Sequence, residues 1–204
     1  MNTWKYLVGI EENEISEETL QKSGFEYEKV NVGEKIKSTI AECLGAKYKN
    51  PTSMREDAPE FFSCSSLISY LFTKAGVWMP SLAIDKYVFG TPIDESELRF
   101  GDLVFSNTGE GLIRRETVEW QKGTPVPEGV DHVGLYMEQG QVLHASKSNG
   151  DVRIENLSEA KNFKNIVGYR RIGNMSENRF VIIVPEDKPE FRNKDKMLEY
   201  LKSL

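Results

Sequence analysis

Apolar residues recur at helical spacing before about residue 90 and at alternate positions after about residue 100. This change of period constrains the fold most, because a helix buries a stripe and a strand buries a face. Ile36, Ile40, Cys43 and Leu44 predict a helix over Gly33 to Leu44, ended by Gly45. Leu67, Ile68, Leu71, Phe72 and Ala75 predict a second helix from Ser63 or Cys64, with Ser63 as N-cap and Gly76 as its left-handed terminator. Ser81 to Phe89, after Pro80, reads as a short third helix. Strands are then predicted at Asp102–Ser106, His132–Met137, Gln141–Ala145, Asp151–Ile154, Val167–Ile172 and Phe180–Val184. An amphipathic helix carrying Met197, Leu198 and Leu201 closes the chain. Helices first and strands after indicate an α+β fold with an antiparallel sheet.

Two stretches are less regular. In residues 1–30, Trp4 to Ile10 reads as a short strand, and Glu11 to Glu18 as a solvated loop or helix face. Asn107 to Val130 is polar and rich in glycine and proline. It is too long for a plain connection, so it is a functional loop or a partly structured insertion. The expected organisation is an N-terminal segment 1–30, a catalytic domain 31–185 and a C-terminal helix 186–204.

Composition narrows the function. With 204 residues, 39% apolar and 28% charged, the chain is long enough for a core and too apolar for disorder. A net charge of −6 gives no basic footprint for nucleic acid. Phe180 to Val184, the longest apolar stretch near the C-terminus, is far shorter than a membrane span. Met1 to Ile10 lacks the features of a secretory leader, so the chain as written is expected in the cytoplasm. If a leader precedes it, the expected place is the cell wall or periplasm. Cys43 and Cys64 are too few for a disulfide framework, and with two histidines they match no common zinc spacing.

Cys64 stands at a helix start, where unpaired backbone N–H groups and the helix dipole favour an anion. Those effects are expected to lower its thiol pKa. His132 and His144 are separated by twelve residues across a predicted hairpin. With Glu138-Gln139-Gly140 as the loop, Met137 pairs with Gln141 and Gly134 with His144. The two histidines then share one sheet face as diagonal neighbours, and Gly134 leaves room there for a ring or a substrate. A thiol and two histidines so arranged make a nucleophile, a base and a group that orients the base.

These segments together resemble the NlpC/P60 family of papain-like cell-wall peptidases. "SCSSLISYLFTKAGV" stands where that family has Asp-Cys-Ser-Gly-Leu at a helix head. "FGDLVF", "HVGLYM" and "VLHAS" resemble its Gly-Asp-Leu-Val-Phe, His-Val-Gly-Ile-Tyr and Ile-His-Ala strands, and "LGAKYKN" its Leu-Gly-x-x-Tyr stretch. The resemblance covers about residues 34 to 172. It implies Cys64 as nucleophile, His132 as base and His144 as the third polar residue. It further implies Tyr48, Ser63 and Ser65 as substrate-side residues, and a structural role for Asp102.

The implied reaction is hydrolysis of an amide bond in peptidoglycan stem peptides, at γ-D-glutamyl–diamino acid, through a thioester and without metal or cofactor. An amidase or acyltransferase with the same triad, and a non-catalytic member that binds wall fragments or a partner, are the alternatives. The oligomeric state is open. The chain departs from the family pattern at Ser63, where the family has aspartate, and at Ser66, where it has glycine. Loss of that aspartate is expected to weaken selection of a free substrate amine, unless Glu110, Glu116 or Glu119 of the long segment replaces it.

Overall fold

The computed structural model describes residues 5–204. Its helices are α1 (Glu17–Ser23), α2 (Val32–Cys43), α3 (Cys64–Lys74), α4 (Ala83–Phe89) and α5 (Lys194–Lys202). The first strands are β1 (Tyr6–Glu11), β2 (Tyr27–Asn31), β3 (Lys47–Tyr48), β4 (Phe61–Phe62), β5 (Thr91–Ile93) and β6 (Leu103–Ser106). Then come β7 (Arg114–Glu116), β8 (Pro125–Val130), β9 (His132–Glu138), β10 (Gln141–Ser146), β11 (Asp151–Asn156), β12 (Ile166–Arg171) and β13 (Asn178–Val184). The chain divides into two units.

The first unit takes the chain up to Ile40, with Leu71–Trp78 and Asn174–Leu204. Its antiparallel sheet has the order β1-β13-β2. Pairing of Val8 with Ile182 and Ile10 with Phe180 follows the strand alternation, so these side chains share a buried face. Leu20, Phe25, Met197 and Leu201 close that core. Full burial of a side chain such as Leu201 contributes about 1.5–3 kcal/mol. A Cβ on Gly9 would lie 1.8 Å from the Gly76 carbonyl oxygen, so this approach excludes any larger residue.

Two elements here, α1 and β2, escaped the periodic reading. Helix α1 buries one residue, Leu20, which leaves no stripe to detect. Its ends were nevertheless written locally: Ser16 accepts from the Thr19 N–H, and Gly24 takes the left-handed conformation. The strand expected from Trp4 runs as Tyr6–Glu11, and Trp4 itself lies outside the described residues. Strand β13 pairs with β1 and β2, so the segment before residue 30 and the chain after residue 174 contribute to one sheet.

The second unit, Ala41–Tyr70 with Met79–Gly173, holds the eight-stranded sheet β4-β3-β11-β10-β9-β6-β12-β5. Its pairs are antiparallel except β3–β4, which makes the sheet mixed at one edge. Asp102, in the turn before β6, is held by both Arg171 Nε and Nη2 at 2.8 Å, the structural role expected of it. The 107–130 segment is a partly structured insertion, its β7 and β8 forming a two-stranded ribbon. Buried Asp85 of α4 anchors it by accepting the N–H groups of Val118, Glu119 and Trp120 on Oδ1.

Candidate active site

Cys64 is the first residue of α3, and the two serines around it form the helix cap. The Ser66 N–H donates to Ser63 Oγ at 3.2 Å, and the Ser63 N–H donates to Ser66 Oγ at 2.9 Å. This is a reciprocal capping pair of the kind that Ser/Thr and Glu/Gln make in a capping box. Thr52 Oγ1 lies within hydrogen-bond distance of both hydroxyls, 3.2 Å from Ser63 Oγ and 2.9 Å from Ser66 Oγ. The two departures from the family pattern, Ser63 and Ser66, therefore serve one local purpose.

The hairpin brings the histidines together. At its tip Gln141 pairs with Glu138, and a register shift then pairs Val142 with Tyr136 and Leu143 with Leu135. The expected Met137–Gln141 pairing is absent at the tip, and the bulge restores the expected alignment beyond it. Glu138, Gln139 and Gly140 all carry positive φ in this turn. His132 Nε2 and His144 Nδ1 meet at 2.9 Å. The space at Gly134 is taken by Phe163, whose Cζ would lie 2.7 Å from a Cβ there. The Phe163 ring packs edge-on against both imidazoles, with centroids 5.1 Å and 5.2 Å away.

A further residue completes the chain of bonds. His144 Nε2 lies 2.6 Å from Glu155 Oε2. An ionised carboxylate only accepts, so His144 carries its proton on Nε2. Its Nδ1 is then an acceptor, and His132 must donate to it from Nε2. The neutral His132 ring is left with its lone pair on Nδ1, which has no hydrogen-bond partner among the described residues. His132 and Cys64 line the same cleft, whereas His144 is fully buried behind it. The thiol sits against the backbone at His132: Sγ is 3.9 Å from the Asp131 carbonyl oxygen, and the Val133 N–H points to it.

Electrostatics set a neutral resting state. Burial pushes the Cys64 thiol up, and the N–H groups of Val133 and Ser65 only partly offset it. The expected depression by the helix terminus is therefore outweighed by desolvation. Burial first, then His144, pushes His132 down to about 3. Both shifts favour thiol with imidazole over thiolate with imidazolium. Burial also lowers His144, against the raising effect of Glu155.

Tyr48 and Ser65 line the cleft, as does Ser63. Pairing of Tyr48 with Phe62 sets the phenol beside the strand that leads into Cys64, and burial raises its pKa, keeping it a donor. The insertion supplies one wall. Asp131 accepts the Thr108 N–H and hydroxyl, each at 2.7 Å, and the Gly111 N–H, pinning that wall beside His132. Of the three glutamates considered as replacements for the family's aspartate, Glu110 lines the cleft and Glu119 is engaged by Ser81. Glu116 is exposed outside it. Cys43 is buried in α2, and neither cysteine is in a disulfide. Among the described residues no cluster of His, Cys, Asp and Glu is arranged to hold a metal, and no helix is long and apolar enough to cross a membrane.

Sequence reasoning missed Glu155. Its signal was faint: in Asp151 to Asn156 the positions 151, 153 and 155 share a face, and Arg153 pairs with His144. It also missed Phe163 and Lys86, whose placement depends on packing.

Residues 51–171 match the NlpC/P60 family. The probable endopeptidase p60 of Listeria innocua is 32% identical over 116 residues, 57% of this chain and 21% of that protein. The gamma-DL-glutamyl hydrolase of Bacillus subtilis is 33% identical over 140 residues, 68% of this chain and 30% of that protein. The chain thus spans less than a third of the length of either relative. Among solved structures, NlpC1 from Trichomonas vaginalis superposes with a TM-score of 0.53 at 23% identity, over 70% of this chain and 45% of that one. The match covers the cysteine, both histidines and the glutamate that orders them, and this chain belongs to the NlpC/P60 family.

Proposed function

We propose that this chain is a cysteine peptidase that hydrolyses a γ-glutamyl amide bond in peptidoglycan stem peptides through a thioester. One observation carries the reading: the Glu155–His144–His132 chain of hydrogen bonds leaves the lone pair on Nδ1 of His132, a residue that lines the same cleft as Cys64. Only one tautomer of each ring fits those bonds, and it is the one a general base requires. The names of the two relatives, an endopeptidase and a gamma-DL-glutamyl hydrolase, support the same class of bond.

In this reading His132 Nδ1 takes the Cys64 proton as sulfur attacks the carbonyl carbon. The carbonyl π electrons move to oxygen, near the Cys64 N–H and the Tyr48 hydroxyl. Collapse expels the amine, which leaves with the proton held by His132. Water then attacks the thioester, His132 again takes a proton, and the thiol is restored. A neutral resting pair suits this sequence, because charge develops only when substrate supplies a place for it. His144 and Glu155 act through His132. Ser63 and Ser65 lie on the substrate side.

The test is mass spectrometry of purified muropeptides after incubation with the protein and with Cys64→Ala. Cleavage after γ-D-glutamate by wild type and none by the variant is expected. Intact muropeptides in both reactions would refute the reading.

A further inference from the structure

Asn162 is a buried amide beside the base that the hydrolytic sequence does not use. It lies in the short 3-10 turn Lys161–Phe163 and is 5% exposed. Two fully buried serines hold it. The Ser106 hydroxyl donates to its carbonyl oxygen at 2.6 Å, and the Ser146 hydroxyl donates to its Oδ1 at 3.1 Å. Ser106 ends β6 and Ser146 ends β10, the two strands that flank β9. Ser106 also pairs with His132 across β6 and β9, and Phe163 packs on both imidazoles. The scaffold that fixes the base therefore fixes Asn162 as well.

These bonds engage the oxygen end of the amide. Ser146 Oγ accepts the Asn149 N–H at 3.3 Å and gives its own proton to Oδ1, which sets Nδ2 as the remaining end. An amide nitrogen carries two hydrogens to donate. Among the described residues Nδ2 has no hydrogen-bond partner, and it is not closed off from solvent. Asn162 lines the cleft that also holds Cys64 and His132. A rigidly held donor without an acceptor, in the wall of a substrate cleft, is organised for an acceptor that the substrate brings.

Its place beside His132 says which part of the substrate that is. His132 returns its proton to the departing amine, so the leaving group lies on the His132 side of Cys64. Where that amine belongs to an amino acid, the residue's own carbonyl oxygen is the first acceptor beyond the scissile nitrogen. We propose that Asn162 Nδ2 donates to this oxygen, so that the cleft selects an amino-acid or peptide leaving group over a simple amine. This inference rests on the hydrolase reading of Cys64, and it makes Asn162 a substrate-binding residue on the leaving side.

The experiment compares kcat/KM for two substrates that share one γ-D-glutamyl acyl part. One releases alaninamide; the other releases 2-aminobutane, which has the same carbon shape and no carbonyl. Their ratio cancels any change at Cys64 or His132. Asn162→Ala is expected to lower the ratio about tenfold, with the 2-aminobutane substrate within twofold of wild type. Asn162→Asp keeps the oxygen that Ser146 needs and replaces the donor by an acceptor, so it is expected to lower the ratio at least as far. A role in supporting His132 alone would slow both substrates equally; an unchanged ratio in either folded variant would overturn the proposal. A measurement on Cys64→Ala protein needs no change at Asn162. There the side-chain amide resonances of Asn162 are expected to shift on addition of the alaninamide substrate and to stay in place with the 2-aminobutane one. Equal shifts, or none, would overturn the proposal even if neither Asn162 variant folds. Cleavage of neither substrate by wild type would instead refute the hydrolase reading, and the leaving-side site with it.

Discussion

Glu155→Ala removes the acceptor that holds the His144 proton on Nε2. The structure brackets the cost. In Ser-His-Asp hydrolases, loss of tautomer control at the base itself costs about 10⁴ in kcat, which is an upper limit here because Glu155 acts one ring further away. A hydrogen bond to a charged group is worth about 1.5–3 kcal/mol. The Glu155 side chain is 26% exposed, so water replaces part of that bond and the lower end applies. About 1.5 kcal/mol is roughly tenfold in kcat/KM. Freed of its acceptor, His144 also samples the Nδ1–H tautomer, which turns a proton toward His132 and moves the His132 lone pair away from the thiol. The expected loss is therefore about 10- to 100-fold in kcat/KM, with little change in KM. Glu155→Gln keeps an acceptor oxygen and is expected to lose less. The assay is kcat/KM on a γ-D-glutamyl peptide, together with ¹⁵N imidazole shifts that report which nitrogen carries each proton. A Glu155→Ala enzyme within twofold of wild type, or a wild-type His144 protonated on Nδ1, would refute the proton-chain argument.

Cys64→Ala is expected to lose at least ~10³-fold in activity, and a thiol probe should label Cys64 before Cys43 near neutral pH, with a rate that rises toward alkaline pH; equal labelling, or an active alanine variant, would rule out Cys64 as nucleophile. His132→Ala should abolish turnover while His144→Gln retains part of it, since an amide oxygen still accepts the His132 N–H; the reverse order of severity would exchange their roles. Acid should destabilise the fold through His132, whose pKa falls from 6.5 to about 3 on folding, so that the unfolded state binds more protons between those values. This stability is intact above pH 6.5 and is lost as pH falls, by about 2–3 kcal/mol at pH 4.5. Urea denaturation at pH 7 and pH 4.5 should show a smaller loss for His132→Asn, and equal losses would count against it. With neutral Ser63 beside the nucleophile, free and N-acetylated γ-D-glutamyl stem peptides should differ by less than about a hundredfold in kcat/KM; a larger preference for the free amine that Glu110→Gln removes would assign the missing carboxylate to the insertion.

Much of this protein was written locally. The stripe through Leu67, Leu71 and Ala75, the Ser63 cap and the Gly76 terminator define α3 and set Cys64 at its head, because helix period and caps are properties of neighbouring residues. The even separation of His132 and His144 across a short turn places both rings on one face, because strand alternation needs no distant partner. Other features depend on parts of the chain brought together in folding. Helix α1 and strand β2 bury too few side chains to announce themselves. Glu155 reaches His144 only through the register of β10 and β11. Lys86 reads in sequence as an ordinary charged helix residue, yet folding buries it behind Ser65. The helix start argued for a lowered Cys64 pKa, and tertiary burial reversed the direction. Desolvation sums over every atom packed around a group, so the residues proposed to react were legible in the sequence, while the direction of their pKa shifts and the partners that order their protons were decided by the tertiary structure.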